Sequence, residues 1–131
     1  MSGVSAMGWK NRPTNFAIQI LNEGDKVVKK IATEMLRGVI TASPVDTGAF
    51  RGNHHITLGA PDKAFDITKQ DKAGVNAMSE GATKILQAKL GGRVFIQNNL
   101  PYSLRLENGW SQQAPAGIYA LTFMSVTSKY K

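Results

Sequence analysis

From Phe16 to Thr41 the apolar residues Phe16, Ile20, Val27, Val28, Ile31, Met35 and Val39 recur at threes and fours. That is the period of one face of an amphipathic helix. Thr14 or Asn15 is placed to accept the free amides of its first turn. Gly24 costs about 1 kcal/mol against Ala inside a helix, but the stripe keeps its phase across Asn22-Glu23-Gly24-Asp25, so the pattern predicts one long helix. Pro44 removes an amide and biases Ser43 away from helical geometry, which ends the helix near Ala42.

The remaining chain reads as short, mixed elements. Asn53 to Gly59 alternates as a strand, with Ile56 and Leu58 on one face and His55 and Thr57 on the other. Residues 60–73 are polar and contain Pro61, which predicts a loop holding a short strand around Phe65 to Thr68. Val75, Met78, Ala82, Ile85, Leu86 and Leu90 mark a second, shorter helix, stopped by Gly91-Gly92. Arg93 to Asn99 is a strand rich in β-branched and aromatic residues, and Asn98 to Tyr102 is a turn. Asn108 to Gly117 is a loop rich in amides. Ile118 to Tyr130 fits both periods: Tyr119, Leu121 and Phe123 alternate, while Tyr119, Phe123, Val126 and Tyr130 run at helical spacing. The helix is favoured. The pattern predicts an α+β fold: a long N-terminal helix packed on a small, mainly antiparallel sheet, with a shorter second helix. Residues 1–12 form an arm and residues 13–131 a single domain.

Composition narrows what such a domain does. At 131 residues the chain is about one domain, large enough to bury roughly 60 percent or more of its unfolded surface. It contains no cysteine, so disulfides and thiolate metal sites are excluded. It shows no signal-type apolar stretch near its start and no run long enough to span a bilayer, and it reads as a soluble protein made in the cytoplasm. The net charge is +7, from 16 Lys/Arg against 9 Asp/Glu. The basic residues are spread out, which suits a solvated basic surface or an assembly whose basic face meets a polyanion.

Few residues suggest catalysis. Asp46-Thr47-Gly48-Ala49 matches the four letters of an aspartic protease, in which two subunits each supply a carboxylate to a proton-sharing pair. Such an aspartate follows an apolar strand, whereas Asp46 follows Pro44 and a helix. The turn reading is stronger, because Asp46 can accept nearby amides and Gly48 can take positive φ. His54 and His55 are adjacent, so on a strand they point to opposite faces and cannot chelate together. No nucleophile elbow or phosphate-binding loop is present. Trp110 is either a lid on the core or an interface anchor, and Arg51 is placed to pair with Glu107. No enzyme, metal or cofactor is expected.

Two separated stretches carry a resemblance. SPVDTGAFRGN, Ser43 to Asn53, is similar to the T-P-V-D-T-G-x-x-R-x-N-W that follows the first helix of small neck or tail-completion proteins of long-tailed phages. Ile96 to Gly117 resembles the same family's N-N-x-P-Y-x-x-x-L-E-x-G-x-S-x-Q-A-P-x-G. The group includes relatives of the lambda-type minor tail protein Z. One departure is visible: His54 stands where the family has an aromatic residue. The resemblance implies a non-enzymatic virion protein in the tail or neck, which completes the head-proximal end of the tail and takes part in head–tail joining. It implies self-association, as a hexameric ring around the DNA channel. Its neighbours would be tail-terminator or tail-tube and head-completion proteins, with non-specific DNA contact and no membrane partner. The interface or fold-shaping positions implied are Asp46, Thr47, Gly48, Arg51, Asn98, Asn99, Pro101, Tyr102, Glu107, Gly109, Gln113, Pro115 and Gly117. The alternatives are a small basic nucleic-acid-binding protein and, least favoured, a dimeric aspartic protease using Asp46.

Overall fold

The computed structural model describes residues 15–19, 25–44, 48–89, 92–100 and 117–129. Its elements are β1 (Asn15–Gln19), α1 (Asp25–Ala42), α2 (Ala49–Gly52), β2 (His55–Leu58), α3 (Val75–Leu86), β3 (Arg93–Gln97) and α4 (Ile118–Lys129). The strands form one antiparallel sheet in the order β1-β3-β2. The fold is therefore α+β, with the longest helix, α1, packed against β3, α3 and α4. Among the described residues no helix is long and apolar enough to cross a membrane.

The interior follows from α1. Ile31, Ala32, Met35, Leu36, Val39 and Ile40 are buried and recur at threes and fours. They meet Ile56 of β2, Val94 and Ile96 of β3, Ile85 of α3, and Ile118, Tyr119, Phe123 and Val126 of α4. Each large apolar side chain taken out of water in this way contributes about 1.5–3 kcal/mol. Val94 and Ile96 are buried while Arg93 is exposed and Phe95 half-buried, so one face of the sheet looks inward.

Several expectations are corrected. The stripe from Phe16 to Thr41 is not one helix: Asn15–Gln19 is a strand and α1 begins only at Asp25, so Asn15 is not its cap. Spacings of four are shared by both periods, and pairing along β3 satisfies the backbone of this segment where the stripe alone would have continued a helix. No strand forms at Phe65 to Thr68. The Asp66 carboxylate there accepts both the amide and the hydroxyl of Thr68, which closes a turn. The second helix ends at Leu86, tightened by amides of Gln87 and Ala88 that reach back three residues, rather than continuing to Leu90. Its inward face is Ala77, Gly81 and Ile85, with Val75 and Leu86 exposed. Gly81 sits against Leu36 and Ile56, where a Cβ would collide with the Leu36 side chain. Small residues, not large ones, let α3 approach α1.

Other expectations hold. The first helix ends at Ala42, just before Ser43-Pro44. The strand at Arg93 is present, and β2 occupies the centre of the predicted Asn53 to Gly59 strand. Ile118–Lys129 is a helix in which Tyr119, Phe123 and Val126 are buried and Leu121 is exposed, so helical spacing describes it and alternation does not.

Candidate functional site

The described residues of the motif SPVDTGAFRGN, 43–44 and 48–53, occupy the corner between α1 and β2. Gly48 has φ +85°, in the region that side chains with a Cβ avoid. A Cβ there would also lie 2.7 Å from the Lys72 amide nitrogen and 2.8 Å from that of Asp71. The Gly48 carbonyl accepts the amides of Gly52 and Asp71, joining α2 to the segment that leads into α3.

Arg51 lies in α2. Its guanidinium donates from Nε to the Ser43 carbonyl at 3.0 Å, from Nη2 to Thr41 at 3.1 Å and from Nη1 to Lys72 at 3.1 Å. Two of those carbonyls belong to the end of α1, where acceptors lack helical partners and the dipole favours a cation. Asn53, also buried, donates to the carbonyls of Ala49 and Asp66 and accepts the Asp66 amide at 2.8 Å, which pins the 60–73 loop to α2.

Behind this corner is a buried polar cluster built around His54. Ser43 Oγ lies 2.6 Å from His54 Nε2, and Tyr119 Oη lies 2.8 Å from His54 Nδ1. The Ser43 hydroxyl donates to the Val39 carbonyl, so the proton between Ser43 and His54 resides on His54 Nε2. Nδ1 is then the acceptor, taking the Tyr119 hydroxyl proton and, at 3.4 Å, facing the Asn98 amide. Asn98 also donates to the Phe50 carbonyl at 2.9 Å. Burial, reinforced by the charges of His55 and Arg51, lowers the His54 pKa from 6.5 to about 3. The ring is neutral near neutral pH, as its hydrogen bonds require. The Phe50 ring meets it edge-on at 4.9 Å.

A serine hydroxyl so near an imidazole invites a nucleophile–base reading, and the geometry opposes it. The imidazole donates to the hydroxyl where a base would accept. Its basicity is far below what proton abstraction near pH 7 needs, and both side chains are buried away from any substrate. The arrangement is a lock joining α1, β2, β3 and α4.

The second cluster faces outward. Asp62 Oδ1 accepts His55 Nε2 at 2.7 Å, Gln97 Nε2 at 2.6 Å, Asn99 Nδ2 at 2.9 Å and the Ala64 amide at 3.3 Å. His55 Nδ1 meets the Asn53 carbonyl at 2.9 Å, and Asn99 also donates to the carbonyls of Asp62 and Ala64. Burial pushes the Asp62 carboxyl up, but the hydrogen bond and charge of His55, with the bonds from Ala64 and Asn99, outweigh it and hold it below the usual range. A cleft of about 430 Å³ opens beside β2, lined by His55, Thr57, Asp62, Phe65, Lys69 and Lys84. Charges of both signs meet in it. Among the described residues no three His, Cys, Asp or Glu side chains are placed to hold a metal.

Of the residues expected to shape the site, Gly48 and Arg51 lie at the corner, Asn98 in the buried cluster behind it and Asn99 in the outward one, and Gly117 stands immediately before α4, whose Tyr119 reaches His54. Asp46, Thr47, Pro101, Tyr102, Glu107, Gly109, Gln113 and Pro115 lie outside the described residues, as do Trp110, the 1–12 arm and the Arg51–Glu107 pairing. Ser43, Asn53, Asp62, Gln97 and Tyr119 had no assigned role. The one sequence signal near them was His54, which stands at a position expected to be aromatic and is buried as one would be. No family model, no curated protein and no solved structure matches this chain.

Proposed function

We propose that this protein is a structural component of a tailed-phage virion. It completes the head-proximal end of the tail and takes part in head–tail joining, as a hexameric ring around the DNA channel. One observation supports this reading above the others: among the described residues, Arg51, Asn98 and Asn99 of the two motifs are spent on the chain's own backbone. Arg51 holds three carbonyls, Asn98 holds that of Phe50, and Asn99 holds those of Asp62 and Ala64. Side chains used in this way shape a rigid corner and are not available to a substrate. Phe65 and Ile67 on the 60–73 loop and Leu121 and Met124 on α4 are exposed, apolar surface of the kind that neighbours in an assembly cover. The excess of basic residues favours proximity to DNA phosphates without sequence readout.

The test is genetic and biochemical. Particles made without this gene should yield tails that do not attach to filled heads, and complete virions should contain the chain in a few copies. Normal, attached tails in its absence would exclude the role. A nucleic-acid-binding protein would instead bind short duplex DNA as a monomer, with log affinity falling linearly against log salt. A protease would cleave peptides and lose that activity on Asp46→Asn.

A further inference from the structure

The two edges of the sheet are unlike. The Gly59 amide donates to the Arg93 carbonyl at 2.9 Å, and Leu58 stands opposite Val94. In an antiparallel ladder the backbone groups of alternate residues point to opposite neighbours. Arg93, Phe95 and Gln97 therefore serve β2, while Val94 and Ile96 serve β1, where they oppose Ile18 and Phe16. The amides and carbonyls of Asn15, Ala17 and Gln19 are left on the outer side of β1, and among the described residues no strand pairs with them.

The edge at β2 is guarded. The segment carrying Pro61, Asp62 and Lys63 is tied beside it through Asp62 to His55 and through Asp66 to Asn53. Proline, charge and a covering loop are the devices by which sheets avoid edge-to-edge pairing. The edge at β1 has none of these within the strand: Asn15-Phe16-Ala17-Ile18-Gln19 holds no charge and no proline, and Asn15 and Ala17 are exposed.

We propose that β1 is a self-association edge, on which a second copy of this chain lays its own β1 antiparallel about a twofold axis through Ala17. The register suits a second copy of the chain. The outward backbone groups are symmetric about Ala17, so Ala17 opposes Ala17 of the partner subunit and Asn15 opposes Gln19 of the partner subunit. Every outward amide and carbonyl of β1 then has a partner, whereas a register shift strands some of them. Copies of a chain with net charge +7 repel one another, and an uncharged edge is where two backbones approach against least opposition. The contact is isologous. It stands apart from the heterologous contacts that close a ring and does not depend on the virion role.

Light scattering coupled to size-exclusion chromatography of the full chain, across the micromolar range, should show a dimer. Ala17→Pro removes the outward amide and leaves the β1–β3 ladder intact, because that amide does not serve β3. It should weaken dimerisation about tenfold or more, with circular dichroism and Tm close to those of the parent chain. Since the chain has no cysteine, Ala17→Cys and Asn15→Cys are single-thiol reporters that test the register even if the proline variant does not fold. Opposed residues of a hydrogen-bonded pair have Cα atoms about 5.5 Å apart, within disulfide reach, whereas the two copies of Asn15 would be about 14 Å apart along the strands. Oxidation should crosslink A17C and spare N15C. A parent chain that is monomeric throughout, a dimer indifferent to A17P, or equal crosslinking of the two cysteine variants would each overturn the proposal.

Discussion

His54 and His55 are neighbours in the chain and opposites in the fold. His54 is enclosed among Ser43, Phe50, Asn98 and Tyr119, neutral, with one ring nitrogen donating and the other accepting. His55 is on the outer face of β2, between the Asn53 carbonyl and the Asp62 carboxylate, and holds a loop to the sheet. The difference comes from the strand period. Alternate side chains leave on opposite faces, so one residue of displacement moves an imidazole from a core that penalises charge to a surface that tolerates it. Two identical side chains therefore make one structural lock and one surface tether.

The largest expected effect falls on the lock. His54→Ala removes the ring packed against Phe50 and leaves Ser43 and Tyr119 without their partner, and it should cost about 3 kcal/mol in urea unfolding. His55→Ala should cost well under half of that. Equal losses would mean that the buried cluster contributes no more than the tether.

The second effect is on acid sensitivity. Folded His54 stays neutral down to about pH 3, whereas the unfolded chain takes up a proton below 6.5. Across that interval the unfolded state binds more protons, so stability should fall by roughly 1 kcal/mol for each pH unit of acidification. Asp62 acts in the same direction but lower in pH: its folded pKa is depressed from 3.8, so its contribution is present above that value and lost as pH falls through the folded one. In His54→Phe the slope between pH 6.5 and about 4 should flatten while the steeper loss below it remains. A slope unchanged in that variant would remove His54 as its source.

The smallest effect is expected at the tether itself. The Asp62 side chain is 40% exposed, and surface pairs of this kind contribute about 0–1 kcal/mol. Asp62→Asn should leave global stability nearly unchanged and speed amide exchange in residues 60–66. A global loss comparable to that of His54→Ala would erase the contrast between the two clusters.

Much of the fold was legible before any tertiary contact was known. Pro44 marks the end of α1 because a missing amide and a restricted preceding residue act locally. Arg93 to Gln97 reads as a strand because β-branched and aromatic residues are continuous there. Gly48 reads as a left-handed turn residue, and its φ bears that out. The misreadings have a shared origin. Phe16 and Ile20 are four apart, a spacing that fits a helix face and a strand face alike. The apolar residues that mark α3 in the sequence leave out Ala77 and Gly81, which are inside because α1 passes so close. The three carbonyls that Arg51 holds were not foreseen, because they come from segments that meet only in the fold.

The sequence by itself determined an α+β class, the C-terminal end of α1, the separation of the two histidines and the turn at Gly48, because periods, proline and restricted φ values act over a few residues. Only the tertiary structure decided that Asn15–Gln19 is a strand, that His54 joins Ser43 to Tyr119, 76 positions apart by number, that Asp62 gathers His55, Gln97 and Asn99, and that among the described residues the edge at β1 is bare while the edge at β2 is guarded. Those outcomes depend on which distant segments share a buried space and which backbone groups find partners there, and neither is written in the spacing of neighbouring residues.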